Sequence, residues 1–271
     1  NHEVLSRSTS FKGDQVKRIL FTLILLMSLL HIMADTAFAD SLYANGEYYR
    51  AITEYYRGIF SGEDRDYCHS RIRLSFLKGE DYSGLVDYLD TNTNPDDRAY
   101  RSYAWIKQGR ADIASHVSSG TADSISRSWY AISEAYRGDY GEAAEIARSL
   151  PEEQREPLSE LVMGADSLSY RSPALAAGLG IIPGLGYAYT GSWQTAISAF
   201  LTNIIIGAVT FELLDSKLEV AAIGSGLAGL GFYLGSINGS AQDAVKRNRR
   251  LRTKYLDQAL EPLLPSLLKG L

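Results

Sequence analysis

Cysteine is nearly absent from this chain of 271 residues: Cys68 stands alone. One thiol cannot close an internal disulfide, so an exported domain of this chain must be held by its core. Histidine is scarce too, at four. His31 falls in an amino-terminal apolar run, and His69 and His116 are far apart. Cys68-His69 falls short of the three or four ligands a zinc ion needs, so neither a metal nor a cofactor is expected. The chain carries no G-x-S-x-G elbow, no H-E-x-x-H and no P-loop. Its glycine-rich stretches at 183–186 and 224–226 lie in apolar sequence without a lysine to meet phosphate. The D-x-D of Asp64-Arg65-Asp66 reads as a solvated turn between helices. No catalytic residue is assigned, and the chain is read as a non-enzyme. A basic excess is missing as well: the net charge of -5 argues against a nucleic-acid partner.

The most informative absence is local. Residues 172–211 carry no charged side chain, and neither do residues 220–242. Between them lie Glu212, Asp215, Lys217 and Glu219. A helix needs about 20 mostly apolar residues to span a bilayer, so the carboxyl-terminal third is expected to be membrane-embedded. At the other end, Lys17 and Arg18 precede the apolar run 19–33, and Ala37-Phe38-Ala39 offers a small-residue cleavage site before Asp40. That three-part pattern is a secretory signal, with an uncleaved anchor as the alternative; either exports the residues after it. Val16 is a candidate start, with residues 1–15 upstream of it.

Between these ends a motif recurs. Gly46-Glu47-Tyr48 leads into Ala51, Ile52 and Tyr55; Gly79-Glu80-Asp81-Tyr82 leads into Leu85, Val86 and Tyr88. Gly109 leads into Ile113-Ala114, and Gly138-Asp139-Tyr140 into Ala143-Ala144. The glycines recur every 29–33 residues, close to the period of helical-hairpin repeats. Glycine suits a turn that needs positive φ, and apolar residues at helical spacing flank each one. Residues 94–97, Asn-Pro-Asp-Asp, read as a loop that starts the next helix.

These units resemble tetratricopeptide repeats over residues 40–150. The match is good at Gly46 and Gly138, fair at Gly79, and poor at Gly109, where Ala111 replaces the aromatic. A plain helical bundle would give the same glycine turns. The repeat resemblance implies a curved groove that binds a peptide or protein surface, with Tyr48, Tyr55, Tyr82, Tyr88 and Tyr140 as candidate partner-binding residues or hairpin core.

Residues 151–172, with Pro151, Pro157 and the acidic cluster Glu152, Glu153 and Glu156, read as a linker. Then comes a dense turn: Pro183-Gly184-Leu185-Gly186-Tyr187-Ala188-Tyr189-Thr190-Gly191. It resembles a small bacterial inner-membrane module, a family of unknown function, in which a Pro-Gly-x-Gly turn precedes a Tyr-x-Gly and a hydrophobic helix. Tyr189 and Gly191 match the Tyr-x-Gly, and Asn203 falls where such helices carry an Asn. The family has Gln after the second motif glycine, where this chain has Tyr187. Members often carry tetratricopeptide-like repeats ahead of the module, and the resemblance implies an envelope membrane protein.

Two spans are expected over about 193–214 and 218–237. Gly231, Gly235 and Gly239 recur every four residues on one helix face and allow close helix packing, within one subunit or in a homo-oligomer. Asn203, with Thr202 and Thr210, is polar inside the first span but not ionisable, so an ion relay lacks its usual parts. Asn203 reads as interhelical glue before it reads as a substrate ligand. After Gln242 come Lys246, Arg247, Arg249, Arg250, Arg252 and Lys254. The positive-inside rule would put that tail in the cytoplasm, which calls for an odd number of crossings, residues 173–189 forming a short first span. If that segment only re-enters, the tail is periplasmic. Its apolar face (Leu251, Tyr255, Leu256, Ala259, Leu260) either lies on anionic head groups or packs on the protein.

The expected fold is all-α: helical-hairpin repeats followed by a short transmembrane bundle. The divisions are residues 1–39 (upstream residues and signal), 40–150 (repeats), 151–172 (linker), 173–240 (membrane module) and 241–271 (basic amphipathic tail). The expected function is a membrane-anchored, exported protein-interaction scaffold of the bacterial inner membrane, with residues 40–172 in the periplasm. Its setting would be envelope assembly or membrane-protein biogenesis. A small transporter or membrane enzyme, its site near residues 183–191 and Asn203, is the competing class.

Overall fold

The structure, a computed structural model, describes residues 35–91 and 97–268. The signal-like run 19–33 and residues 94–96 of the interhelix loop lie outside the described residues. Among the described residues every regular element is helical. In chain order these are α1 (Asp35–Ala44), α2 (Tyr48–Ser61), α3 (Arg65–Lys78), α4 (Tyr82–Thr91), α5 (Asp97–Lys107), α6 (Ala111–Ser118), α7 (Ser124–Arg137), α8 (Tyr140–Arg148), α9 (Glu152–Asp166), α10 (Pro173–Leu179), α11 (Leu185–Thr190), α12 (Trp193–Asp215) and α13 (Glu219–Leu260). A short 3-10 turn, Glu261–Leu263, leads into α14 (Leu264–Leu267).

The repeated glycines mark helix junctions. Gly46 joins α1 to α2, Gly79 joins α3 to α4, Gly109 joins α5 to α6, and Gly138 joins α7 to α8. Three of them take the left-handed conformation that favours glycine: Gly46, Gly109 and Gly138 have φ of 79°, 76° and 93°. Gly79 departs from that pattern. Its φ is -80°, and the next residue, Glu80, carries the positive φ of 55°. Glycine is used at 79 for space: a Cβ there would stand 3.1 Å from the Ser75 carbonyl and 3.4 Å from Tyr48 Cβ. Asp64 and Asp66, the D-x-D of the sequence, begin a helix. The Asp64 carboxylate accepts from the Asp66 and Tyr67 amides at 3.0 and 3.1 Å and caps α3.

The chain forms two compact units that divide inside α7. The first contains the described residues up to Tyr130, together with Leu264–Leu268; the second runs over 131–263. In the first, Tyr55, Ile72, Leu85, Leu89, Tyr100, Trp129 and Leu268 are buried almost completely. Trp129 Nε1 donates to the Leu267 carbonyl at 3.3 Å, which ties the last described segment to this core. Asp40 gathers α1, α2 and α3. Its carboxylate accepts from Tyr55 Oη at 2.6 Å, Tyr67 Oη at 2.8 Å and Arg71 Nε at 3.1 Å. The Arg71 guanidinium lies 4.2 Å from the centre of the Tyr43 ring, a cation–π contact from α3 back to α1. Burial would raise the Asp40 pKa; the bonds from Tyr55, Tyr67 and Arg71 and the guanidinium charge outweigh it, and the carboxyl sits below its ordinary value.

In the second unit the last part of α13 packs against α9. Ala244, Leu256 and Leu260 on α13 and Leu158, Leu161, Val162 and Ala165 on α9 are buried. Tyr136 Oη donates to Asp257 at 2.8 Å. Tyr255 covers Gly164, where any Cβ would collide with its hydroxyl. The apolar face of the basic tail is thus occupied by protein, the second of the two expected arrangements.

Candidate functional site

Among the described residues two helices are long and apolar enough to cross a bilayer: α12, and the helical stretch that opens with α13. Soluble core helices pass the same test when buried, but these are not buried. Ile197, Phe200, Leu201, Ile204, Ile205 and Phe211 on α12 are 47–72% exposed. Val220, Ile223, Leu227, Leu230, Phe232 and Leu234 on α13 are 53–87% exposed. Isolated exposed leucines are ordinary, whereas two faces of this extent are not.

The two helices touch most closely near their connecting turn. Thr210 Oγ1 and Ser225 Oγ lie 2.8 Å apart, and a Cβ at Gly229 would come 2.8 Å from Ile206 Cγ2. Toward the other end they part. The space between them is a laterally open groove of about 520 Å³, lined from α12 by Thr195, Ser198, Ala199, Thr202 and Asn203, and from α13 by Ala228, Gly231, Phe232, Gly235 and Ser236. Tyr187 from α11 lines it as well.

The segment before α12 doubles back. Residues 173–179 and 185–190 form α10 and α11, of seven and six residues, with the chain reversing between them. At about 1.5 Å per residue, neither helix approaches the 30 Å of a hydrocarbon core. The expected short first span over 173–189 is therefore replaced by a hairpin against α13. Ser240 Oγ lies 3.0 Å from the Ala176 carbonyl, and Tyr233 Oη donates to the Ile181 carbonyl at 2.9 Å.

Each residue of the glycine-rich motif has a packing reason here. Pro183 sits in the reversal. Gly184, with φ of 87°, meets the Ala196 carbonyl and Phe200. Gly186 faces the Ala176 carbonyl and Ser240. Gly191 ends α11 in the left-handed conformation, with φ of 90°. Tyr189 Oη accepts from the Ser172 amide at 3.2 Å, and the Arg171 guanidinium lies 5.0 Å from its ring centre. Asp243, where the second uncharged run ends, accepts from Thr190 and, at 2.6 Å, from Ser192.

Tyr187 and Asn203, singled out by the sequence, line one groove. Gly231 and Gly235 line it too, and a Cβ on either would meet nothing within 4 Å. Gly239 packs under the Tyr187 hydroxyl. The close helix contact between α12 and α13 is made by Gly226 and Gly229 instead. Asn203 Nδ2 donates back to the Ala199 carbonyl at 2.7 Å, so it does not bridge the two helices as interhelical glue would. Sequence reasoning missed Thr195, Ser198 and Ser236. The signal was available in part: 195, 198 and 202 fall at i, i+3 and i+7, one helix face. Ser236 is 7% exposed, and its hydroxyl is buried without a hydrogen-bond partner. Such a group is costly unless something supplies the missing bond.

The repeat tyrosines divide. Tyr55 and Tyr88 are buried, at 0% and 5% exposure, so they are core. Tyr48, Tyr82 and Tyr140 are half-buried. Tyr48 packs edge-on to Tyr43, Tyr82 to Tyr103, and Tyr140 stacks on Tyr170 with a hydroxyl contact between them. The described carboxylates Glu134, Asp139 and Glu142 approach one another. Arg137 pairs with buried Glu134 at 2.6 Å, and Asp139 accepts from the Glu142 amide. Helix capping and an ion pair account for that cluster. His69 contacts the Tyr88 hydroxyl, and burial, then Arg65 and Arg73, hold its pKa below the ordinary value.

No family model, curated protein or solved structure matches this chain.

Proposed function

We propose that this chain is a membrane-anchored interaction scaffold, and that the groove between α12 and α13 receives a transmembrane helix of a different protein. One observation carries the reading: a lipid-exposed helix pair encloses a groove whose lining includes the polar residues Thr195, Ser198, Thr202 and Asn203. Acyl chains cannot hydrogen-bond these groups, whereas a helix bearing a polar side chain can. The outward faces of α12 and α13 offer apolar side chains, so a second copy presents little that would complete the groove except its own groove.

In this reading α12 and α13 cross the bilayer as a hairpin, and α10–α11 is re-entrant. Tyr233 lies nine residues inward from Gln242, roughly 14 Å along the helix, so Ile181 reaches about the midplane of a core roughly 30 Å thick. Two crossings leave α9 and the end of α13 on one face of the membrane. The signal-like pattern at 17–39 carries them to the periplasmic face of a bacterial inner membrane, with envelope assembly or membrane-protein biogenesis as the setting. The charge pattern argues the other way: six cations and one carboxylate occupy 241–254, against three carboxylates and one ammonium in the 212–219 turn. Membrane-impermeant thiol labelling of a C68S chain carrying one new cysteine, at Ser169 or at Ser216, separates the two orientations. Ser169 reacting from the periplasm supports export; Ser216 reacting there overturns it.

The groove also bears on the transporter reading, because it joins Tyr187 to Asn203. Within one chain, however, it stops at the Ile206–Gly229 contact, which leaves no route across. The test is a photocrosslinking side chain at Thr202 or at Phe232, compared with lipid-facing Ile205. A discrete protein adduct from 202 and 232, absent from 205, supports the scaffold. Adducts only with a second copy, or equal adducts from all three, would sink it.

A further inference from the structure

We infer that the end of the hairpin at residues 242–250 binds the phosphate groups of anionic phospholipids through Lys246 and Arg250. Helix α13 does not break where its uncharged run ends; it continues without interruption to Leu260. Gly239, Gln242, Lys246 and Arg250 succeed one another at helical spacing, so both cations stand on the line that carries the groove lining at Gly235 and Phe232. At about 1.5 Å per residue, Lys246 lies about 6 Å and Arg250 about 12 Å beyond Gln242. Lys246 therefore stands in the headgroup layer, roughly 5–8 Å deep beside the hydrocarbon core, and the long Arg250 side chain reaches back toward it. Trp193, 65% exposed at the start of α12, and Tyr189 suit the same boundary.

The neighbouring cations are taken up by protein. Arg247 donates to the Ser169 carbonyl at 3.3 Å, and Arg252 lies against Gly138 with its Nε buried. Lys246 and Arg250 are exposed, and among the described residues neither has a hydrogen bond or ion pair. Over 241–254 Asp243 is the sole carboxylate, and Thr190 and Ser192 already donate to it. Two free cations one helical turn apart, with the nearest carboxylate on their helix, Asp243, already engaged by Thr190 and Ser192, match a phosphodiester at the membrane surface. Each cation near an anionic surface contributes roughly fivefold in binding, so the pair supplies about 25-fold.

This inference rests on the bilayer reading of 193–211 and 220–242, and the experiment keeps the two apart. The full chain is reconstituted into nanodiscs of phosphatidylcholine, with and without phosphatidylglycerol, beside K246Q/R250Q and K254Q. Failure of every form to enter either nanodisc would overturn the bilayer reading itself. Given insertion, retained lipid is counted by native mass spectrometry. The expected result is a preference for phosphatidylglycerol that falls about 25-fold in K246Q/R250Q and little in K254Q. Lys254 is exposed on the same helix but lies about 12 Å past Lys246, beyond a Debye length of about 8 Å, whereas Arg250 lies about 6 Å past it. Equal preference in wild type and the double variant would overturn the inference, as would an equal loss in K254Q. Inorganic phosphate displacing phosphatidylglycerol at matched concentration would reassign the pair to free anions.

Discussion

Tyr233 and Ile181, 52 residues apart, meet where the Tyr233 hydroxyl donates to the Ile181 carbonyl at 2.9 Å. That bond ties the tip of the α10–α11 reversal to the middle of the apolar part of α13. Tyr233→Phe keeps the ring and removes the bond, leaving a carbonyl without its donor in an apolar setting. The expected loss is about 0.6–1.7 kcal/mol, read as a lower thermal midpoint in detergent. An unchanged midpoint would show that the bond does not hold the reversal.

Glycines in the apolar region should separate into two groups. A Cβ at Gly186 would collide with the Ala176 carbonyl and stand 2.6 Å from Ser240 Oγ. Gly186→Ala should therefore cost about 1–3 kcal/mol. Gly231→Ala meets nothing within 4 Å and lies inside a helix, so it should be neutral or stabilise by up to about 1 kcal/mol. Parallel unfolding curves of the two variants decide the point. If the groove receives a helix, Gly231→Ala should still weaken crosslinking from Thr202.

Asp40 predicts an acid limb. Its carboxyl is held below the ordinary value in the folded state, so its contribution is present above the unfolded pKa of about 3.9 and is lost as pH falls through the folded value. Stability of a fragment or chain containing α1–α3 should fall with pH below about 4, and Asp40→Asn should flatten that fall. Urea midpoints across the acid range test it; parallel profiles for the two proteins would refute it.

Arg73 and Asp97 form a buried pair, Nη1 to Oδ1 at 2.8 Å, with side chains 14% and 6% exposed. Asp97→Ala strands the guanidinium and should cost about 3–5 kcal/mol. Replacing both, as Arg73→Met with Asp97→Leu, should recover most of that loss. Equal unfolding midpoints for the single and double variants would refute the pairing argument.

Trp129 is fully buried and bonds the Leu267 carbonyl. Trp129→Ala should cost about 3–5 kcal/mol. Removing residues 264–271 should destabilise the first unit as well, since Leu267 and Leu268 are 4% and 0% exposed. Loss of near-ultraviolet Trp signal on truncation checks this; an unaltered spectrum would argue that the segment is dispensable.

Much of the helical framework is legible along the chain because it depends on neighbours in sequence. Glycines at 46, 109 and 138 mark turns through their own backbone freedom, and the length of an uncharged run is a local quantity. Gly79 is a junction, as its spacing suggests, but for a different reason, because the side chain that needs the space, Tyr48, comes from another helix. The same holds for the tyrosines. Periodicity could not say that Tyr55 and Tyr88 face inward while Tyr48, Tyr82 and Tyr140 keep part of their surface.

The sequence by itself determined that the described residues are all-helical, with two long apolar helices among them, since charge, hydropathy and helix signals are written in consecutive residues. Only the tertiary structure decided that residues 173–190 turn back at Ile181. It also decided that Asn203 and Tyr187 line one groove, and that Leu264–Leu268 belongs with the first unit. Each of those depends on partners 16 to 138 residues away, and hydrogen bonds and packing at that separation leave no periodic trace in the chain.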